Sequence, residues 1–187
     1  MVHSRDVAAF DERAPSYETG WRGRLHHDIA DRATDLALAS SPRPSRVLDV
    51  GCGTGYLLRR LAGRVPQALE LAGIDAAPAM IEAARAMSAD SRIRFATGTA
   101  EELPYPKRLF DLVVSTTSFD HWADQRAGLA ECARVLVPGG HLVLIDLFLR
   151  LGLIDGPPAA RLRAALQTPV PGAPGVPLGA NATAGGG

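Results

Sequence analysis

The stretch Arg46-Val-Leu-Asp-Val-Gly-Cys-Gly-Thr-Gly-Tyr56 constrains this chain more than any other. An apolar run containing an acid, Asp49, meets a glycine-rich turn at once. From Thr54 onward the pattern reads as a helix, with Tyr56, Leu57, Leu58 and Leu61 on its apolar face. A strand feeding such a loop and then a helix is a cradle for a ligand. Glycine at 51, 53 and 55 removes Cβ atoms that would collide with a ligand lying against the backbone. The spacing is G-x-G-x-G. The dinucleotide fingerprint G-x-G-x-x-G requires glycine at 56, where this chain has Tyr56. The loop therefore points away from a nicotinamide dinucleotide and toward a cofactor without a pyrophosphate.

A second apolar run, Leu69-Glu-Leu-Ala-Gly-Ile-Asp75, follows about 20 residues after Gly55, the spacing of a doubly wound sheet. In such a sheet the carboxylate ending the second strand reaches ribose hydroxyls above the first loop. Asp75 fits that role, with an ordinary helix cap as the alternative. The spacing predicts a helix over Pro78–Met87, with Met80, Ile81, Ala84 and Met87 on one face. Further strands are expected at 93–97, 110–115 and 141–148, a helix at 123–136 with Ala127, Ala130, Ala133 and Leu136 on one face, and a turn at Pro138-Gly-Gly140. Upstream, 26–39 reads as an amphipathic helix with Ile29, Ala33, Leu36 and Ala37 inward. Short Val/Leu/Ile strands separated by helices predict an α/β fold: a Rossmann-like, doubly wound sheet of mostly parallel strands.

At these residues the chain resembles the class I S-adenosylmethionine-dependent methyltransferases, in the small-molecule branch related to the ubiquinone and menaquinone biosynthesis enzymes. The resemblance runs from about Phe10 to Phe148, across Val47–Gly55, Gly73-Ile-Asp75 with Met80, Gly98–Pro104, Phe110–Val113 and Leu136–Gly140. It implies S-adenosylmethionine as cofactor. It implies that Asp49, Gly51 and Gly53 hold the methionine part and that Asp75 binds the ribose. It implies that Ala76 and Met80 line the adenine pocket, that Ala100 and Glu101 close over it, and that Ser115 faces the methionine end. Thr99 stands where the family often has aspartate, and its hydroxyl is the weaker acceptor. Tyr17, in Phe10-Asp-Glu-Arg-Ala-Pro-Ser-Tyr17, matches a leading segment whose tyrosine covers the cofactor. The physical case for Asp49 is that it accepts from an ammonium or orients loop amides, and those amides at a helix N-terminus suit a carboxylate.

Methyl transfer from a sulfonium needs alignment and exclusion of water, and a base only when the acceptor must lose a proton. The candidate base is His121, in Ser115-Thr-Thr-Ser-Phe-Asp-His-Trp122 after the fourth strand; a structural histidine is the equal alternative. Trp122 and Phe119 are expected as pocket wall. His26 and His27 are adjacent and cannot share a helix face, so no metal pair is expected. Two cysteines, Cys52 and Cys132, lack metal spacing and indicate a reducing compartment.

Zero net charge and the absence of a basic run argue against nucleic acid as partner. No apolar run reaches the ~18 residues of a membrane span, and the start lacks a signal-peptide core, so a cytoplasmic protein is expected. The expected organisation is an N-terminal helical cap at 1–40, a cofactor-binding core at 41–150, a short helical extension at 151–167 and a Pro/Gly-rich tail at 168–187 too poor in apolar residues to order. The antiparallel strand pair that usually ends the family's sheet has no apolar runs here. Truncation is the favoured explanation, and a homodimer covering the exposed edge of the fifth strand is another. The functional expectation is a methyltransferase acting on the oxygen or carbon of a small organic acceptor. The alternative is a protein that binds S-adenosylmethionine without turnover.

Overall fold

Five short runs of Val, Leu and Ile become the strands of a single sheet in this computed structural model, which describes residues 2–146. The strands are β1 (Arg46–Val50), β2 (Glu70–Asp75), β3 (Ile93–Thr97), β4 (Phe110–Thr116) and β5 (Leu136–Ile145). The helices are α1 (Val2–Arg13), α2 (Gly20–Ser40), α3 (Tyr56–Arg64), α4 (Pro78–Met87) and α5 (Gln125–Val135). The order across the sheet is β3-β2-β1-β4-β5, and every pairing is parallel. This is the expected doubly wound Rossmann-like sheet. The chain winds outward from β1 to β3 and then returns to β4 beside β1. That reversal opens a crevice above the carboxyl ends of β1 and β4, where open α/β sheets bind ligands. Among the described residues there is no antiparallel pair. The helical extension expected at 151–167, the tail from 168 and anything beyond the fifth strand lie outside the described residues.

Alternate residues of each central strand feed opposite cores, as the two-residue period of a strand requires. Val47, Leu71, Leu112 and Val114 meet Ala30, Ala33 and Ala37 of α2 and Leu57, Leu58 and Leu61 of α3. Leu48, Val50, Ala72, Ile74 and Val113 meet Cys132 and Val135 of α5. A third, smaller cluster joins Ala14 to Ala77 and Met80, with Val7, Phe10 and Tyr17 packed against it. It fastens α1 over the cleft.

The sequence placed the elements better than their faces. α2 begins at Gly20, six residues before the expected His26, and takes in Trp21, Arg22 and Arg24. Its buried stripe is Ile29, Ala30, Ala33, Thr34 and Ala37, and Leu36 is 55% exposed. The stripe is centred between Ala30 and Ala37, and Leu36 falls just off its edge. On α5 the buried residues are Gly128, Cys132 and Val135 in place of the expected alanine face. Gly128 lets the helix sit on Trp122: a Cβ there would stand 2.4 Å from the indole. Met87 is 44% exposed at the end of α4. The expected turn at Pro138-Gly-Gly140 lies inside β5, as a bulge between the pairs Phe110↔Leu136 and Leu112↔His141. Among the described residues β5 is an edge strand, with Leu142 and Leu144 each 36% exposed.

Gly55 shows why the loop spelling is strict. Its φ is +77°, and a Cβ would stand 2.6 Å from the Phe95 ring. Gly55→Ala is expected to lower stability by about 2–5 kcal/mol, from left-handed strain plus overpacking. Urea denaturation measures this; a loss below about 0.5 kcal/mol would show that the loop relaxes freely.

Candidate functional site

The glycine loop is fixed from beneath before any ligand arrives. The Ile74 carbonyl accepts from the amides of Gly51 at 2.8 Å and Cys52 at 3.0 Å. The Asp75 carboxylate accepts from the Gly53 amide at 2.8 Å and, through its other oxygen, from the Ala77 amide at 2.9 Å. Asp75 thus braces both the glycine loop and the start of α4. Gly51 leaves space that Ser118 fills, since a Cβ at 51 would stand 2.3 Å from Ser118. Ser118 Oγ donates to the Val50 carbonyl at 3.0 Å and lies 2.8 Å from Ser115 Oγ. The exits of β1, β2 and β4 are locked together.

Above them is a cleft of two lobes that share Tyr17, Gly51, Gly53, Thr116 and Thr117. The larger lobe has an apolar wall of Ile74, Ala76, Ala77, Met80 and Ala100, with Asp75, Glu101 and His121 as polar groups. The smaller is more polar and is lined by Glu18, His26, His27, Asp49 and Thr54. Of the residues the sequence singled out, Tyr17, Gly51, Gly53, Asp75, Ala76, Met80, Ala100, Glu101 and His121 line the larger lobe. Asp49 lines the smaller. Thr99 and Ser115 line neither: the Thr99 hydroxyl is engaged by Glu101, and Ser115 is buried behind Ser118.

The N-terminal segment supplies what the sequence missed. Asp6, Val7 and Phe10 of α1 line the larger lobe. Asp11 of α1 accepts from the Ala79 amide at 2.9 Å and so caps α4, whose own cap residue, Ala77, has no side-chain acceptor. Asp6 Oδ2 stands 3.1 Å from His121 Nδ1, and Phe10 meets the same ring edge-on at 5.1 Å. Asp6, from the far end of the sequence, is thus a partner of His121. Tyr17 stacks on His26 at 4.9 Å and His27 on Tyr56 at 3.8 Å. Glu18 accepts from Thr54 and Arg59, tying the segment to the loop and to α3. His27 Nε2 is 3.3 Å from Glu18, close enough for an ion pair but not aligned as a hydrogen bond. No sequence period signals these contacts.

The charges are uneven. Burial, and secondarily the charge of Asp75, pushes the Asp49 carboxyl up to about 8. Its Oδ1 is buried without a hydrogen-bond partner among the described residues. Burial also raises Asp75, partly offset by the Ala77 and Gly53 amides. Burial raises the Tyr17 hydroxyl to about 12, with Asp75 adding to the shift. Burial opposes ionisation of Glu18, but the Thr54 and Arg59 hydrogen bonds and the Arg59 charge outweigh it and hold the carboxyl low. A buried carboxylate with an unmatched oxygen, facing a polar lobe beside a flat apolar one, suits a ligand carrying a cation at one end and an aromatic ring at the other. S-adenosylmethionine has that form, and the residues present fit it. Among the described residues no cluster of His, Cys, Asp or Glu is placed to hold a metal, and no helix is long and apolar enough to cross a membrane.

Comparison with known proteins agrees with this geometry. A profile described as a methyltransferase domain matches residues 47–140. A demethylmenaquinone methyltransferase of Deinococcus radiodurans is 44% identical over 131 residues, covering 69% of this chain and 50% of that protein. A malonyl-[acyl-carrier protein] O-methyltransferase of Hahella chejuensis is 39% identical over 140 residues, covering 75% of this chain and 48% of that protein. Among solved structures, CalS10 of Micromonospora echinaspora, an amino pentose methyltransferase with S-adenosylmethionine bound, is 34% identical at TM-score 0.62, covering 75% of this chain and 59% of that one. The chain spans about half the length of these two curated relatives.

The raised Asp49 carboxyl has a measurable sign. The folded chain keeps a proton on Asp49 up to about pH 8 that the unfolded chain loses near 3.8. Stability from this group is therefore lost as pH rises through that window. A cationic ligand reverses the shift and expels the proton. Titration with S-adenosylmethionine near pH 6.5 in buffers of different ionisation enthalpy is expected to show about one proton released, and none in Asp49→Asn. Equal proton counts in the two proteins would contradict the pairing.

Proposed function

We propose, for a chain that belongs to the class I S-adenosylmethionine-dependent methyltransferase family, that its cleft directs a methyl group onto the oxygen or carbon of a small organic acceptor. The observation that carries this is the unmatched buried Asp49 oxygen below the smaller lobe, next to an apolar lobe edged by Asp75. When bound, S-adenosylmethionine supplies a methyl group already activated by a positively charged sulfur. Asp49 matches the cationic end. Asp75 accepts from ribose hydroxyls with the lone pairs its two amide contacts leave, and Ala76, Met80 and Ala100 form the wall for adenine. Tyr17 lies across the glycine loop and excludes water.

His121 then takes the proton that a hydroxyl or acidic carbon must lose. Asp6 beside Nδ1 favours the tautomer with the proton on Nδ1, which leaves Nε2 as the basic nitrogen, and it stabilises the imidazolium that follows. The differing acceptors in the names of the relatives support a small-molecule substrate without selecting one.

The test is methyl transfer from methyl-labelled cofactor to a panel of hydroquinones, phenols and carboxylic acids. Labelled product is expected with at least one class. Binding of the cofactor without transfer to any would favour the alternative, a binding protein without turnover. Once an acceptor is in hand, His121→Ala is expected to slow transfer by about 10²–10⁴-fold with cofactor affinity unchanged. Full activity in that variant would remove the base. Asp75→Asn is expected to weaken cofactor binding by about 1–3 kcal/mol; unaltered affinity would sink the ribose assignment.

A further inference from the structure

The segment that crosses the glycine loop is held down by one carboxylate. Glu18 follows Tyr17 and divides its two oxygens between different partners. Oε1 accepts from the Thr54 hydroxyl at 2.6 Å and from the Arg59 guanidinium at 2.5 Å. Arg59 also donates to the Thr54 carbonyl at 2.6 Å, so the loop, α3 and the segment are tied at a single point. Oε2 faces His27 Nε2 at 3.3 Å. The Glu18 backbone is seated closely too: a Cβ on Gly23 of α2 would stand 2.3 Å from the Glu18 carbonyl.

His27 is the member of this group whose charge can change. Its ring lies flat on Tyr56, with centroids 3.8 Å apart and planes within 9°. Its Nε2 is buried with no hydrogen-bond partner among the described residues. The charged and titratable groups around it are Glu18, Tyr56 and Arg59 across the contact, His26 and Asp31 on its own helix, and Asp49 in the same lobe. The Thr54 and Arg59 contacts outweigh burial and keep Glu18 ionised where histidines change charge. A proton on His27 therefore adds attraction to Glu18, and Arg59, which shares that carboxylate, opposes the gain in part. One residue away, the Tyr17 ring lies over Gly53 and borders both lobes. A ring lifting from the loop has the Glu18 contacts to break.

We propose that Glu18 latches Tyr17 over the bound cofactor and that protonation of His27 tightens the latch, so that release of the demethylated product slows as the pH falls. This rests on the cofactor reading given above. Glu18 is a positioning residue: it acts through Tyr17 and makes or breaks no bond in the transfer. An open latch admits ligand as well as releasing it. Its loss raises both rates and changes Kd less than either, whereas loss of a direct ligand contact raises the off-rate and Kd together.

The test needs no acceptor. The full chain and its Glu18→Gln and His27→Phe variants are loaded with tritiated S-adenosylhomocysteine and chased with unlabelled excess from about pH 5.5 to about pH 8, the range in which histidines titrate. Calorimetry on the same proteins gives Kd. Phenylalanine at 27 keeps the stack on Tyr56 and removes the charge. Glu18→Gln is expected to release the ligand about five- to twentyfold faster, with Kd raised less than about twofold. The wild-type off-rate, divided by that of His27→Phe, is expected to fall about two- to fourfold from the alkaline to the acid end. Any pH dependence from Asp49 or from the Asp6–His121 pair is common to both proteins and cancels in that ratio. An unchanged off-rate in Glu18→Gln, a Kd that rises in step with it, or a wild-type to His27→Phe ratio that does not vary with pH would overturn the proposal. If circular dichroism shows Glu18→Gln unfolded, the His27→Phe ratio decides alone. A wild-type chain that binds no S-adenosylhomocysteine is a separate result, and it would overturn the reading of the cleft and the latch with it.

Discussion

The Asp75 carboxylate beneath the glycine loop is the interaction on which the rest of the site depends. It receives the Gly53 amide while the preceding carbonyl, Ile74, receives those of Gly51 and Cys52. The end of β2 thus sets the path of the chain leaving β1. Ser118, seated where Gly51 has no side chain, carries the same constraint to the exit of β4. Three strand ends are therefore positioned by a few short polar contacts, and the cleft above them exists before a ligand enters. Preorganisation of this kind spares binding energy that would otherwise go into ordering a loop.

The second constraint comes from the N-terminal segment. The apolar cluster of Val7, Phe10, Ala14 and Tyr17 with Met80 holds α1 over the larger lobe, and acids then complete sites elsewhere. Asp11 caps α4, Asp6 meets His121, and Glu18 binds Thr54 and Arg59. The lobes acquire opposite characters as a result. One is an apolar slot, and the other is a polar chamber whose Asp49 lacks a partner. Segregation of this kind orients an amphipathic ligand by the cost of reversing it: a buried charge in the apolar slot and a ring in the polar chamber are both unfavourable.

Local sequence made the fold and the cofactor loop legible. Val47–Gly55 is one continuous stretch, and Asp75 ends the next strand at the spacing of a doubly wound sheet. The helix faces were less legible because small residues carry weak patterns. On α5 the alanines resemble a buried stripe, yet Gly128 is the contact, since the neighbouring indole needs the space. Leu36 shows that an apolar side chain at the rim of a stripe need not be buried. The site residues missed are those brought in across long sequence separations, Asp6 and Glu18 above all. Thr117 was hidden for another reason: positive φ at a β-branched residue is imposed by the ladder to Ile145 and the anchoring of Ser118, and no local propensity would place it there.

The central claim is that the G-x-G-x-G loop, with tyrosine at 56, selects a cofactor without a pyrophosphate. Calorimetric titration of the purified chain with S-adenosylmethionine, its demethylated product and NAD tests it most directly. The account predicts saturable binding of the first two at one site and none of the dinucleotide. Binding of NAD alone, or of no ligand by a sample that unfolds cooperatively, would contradict it.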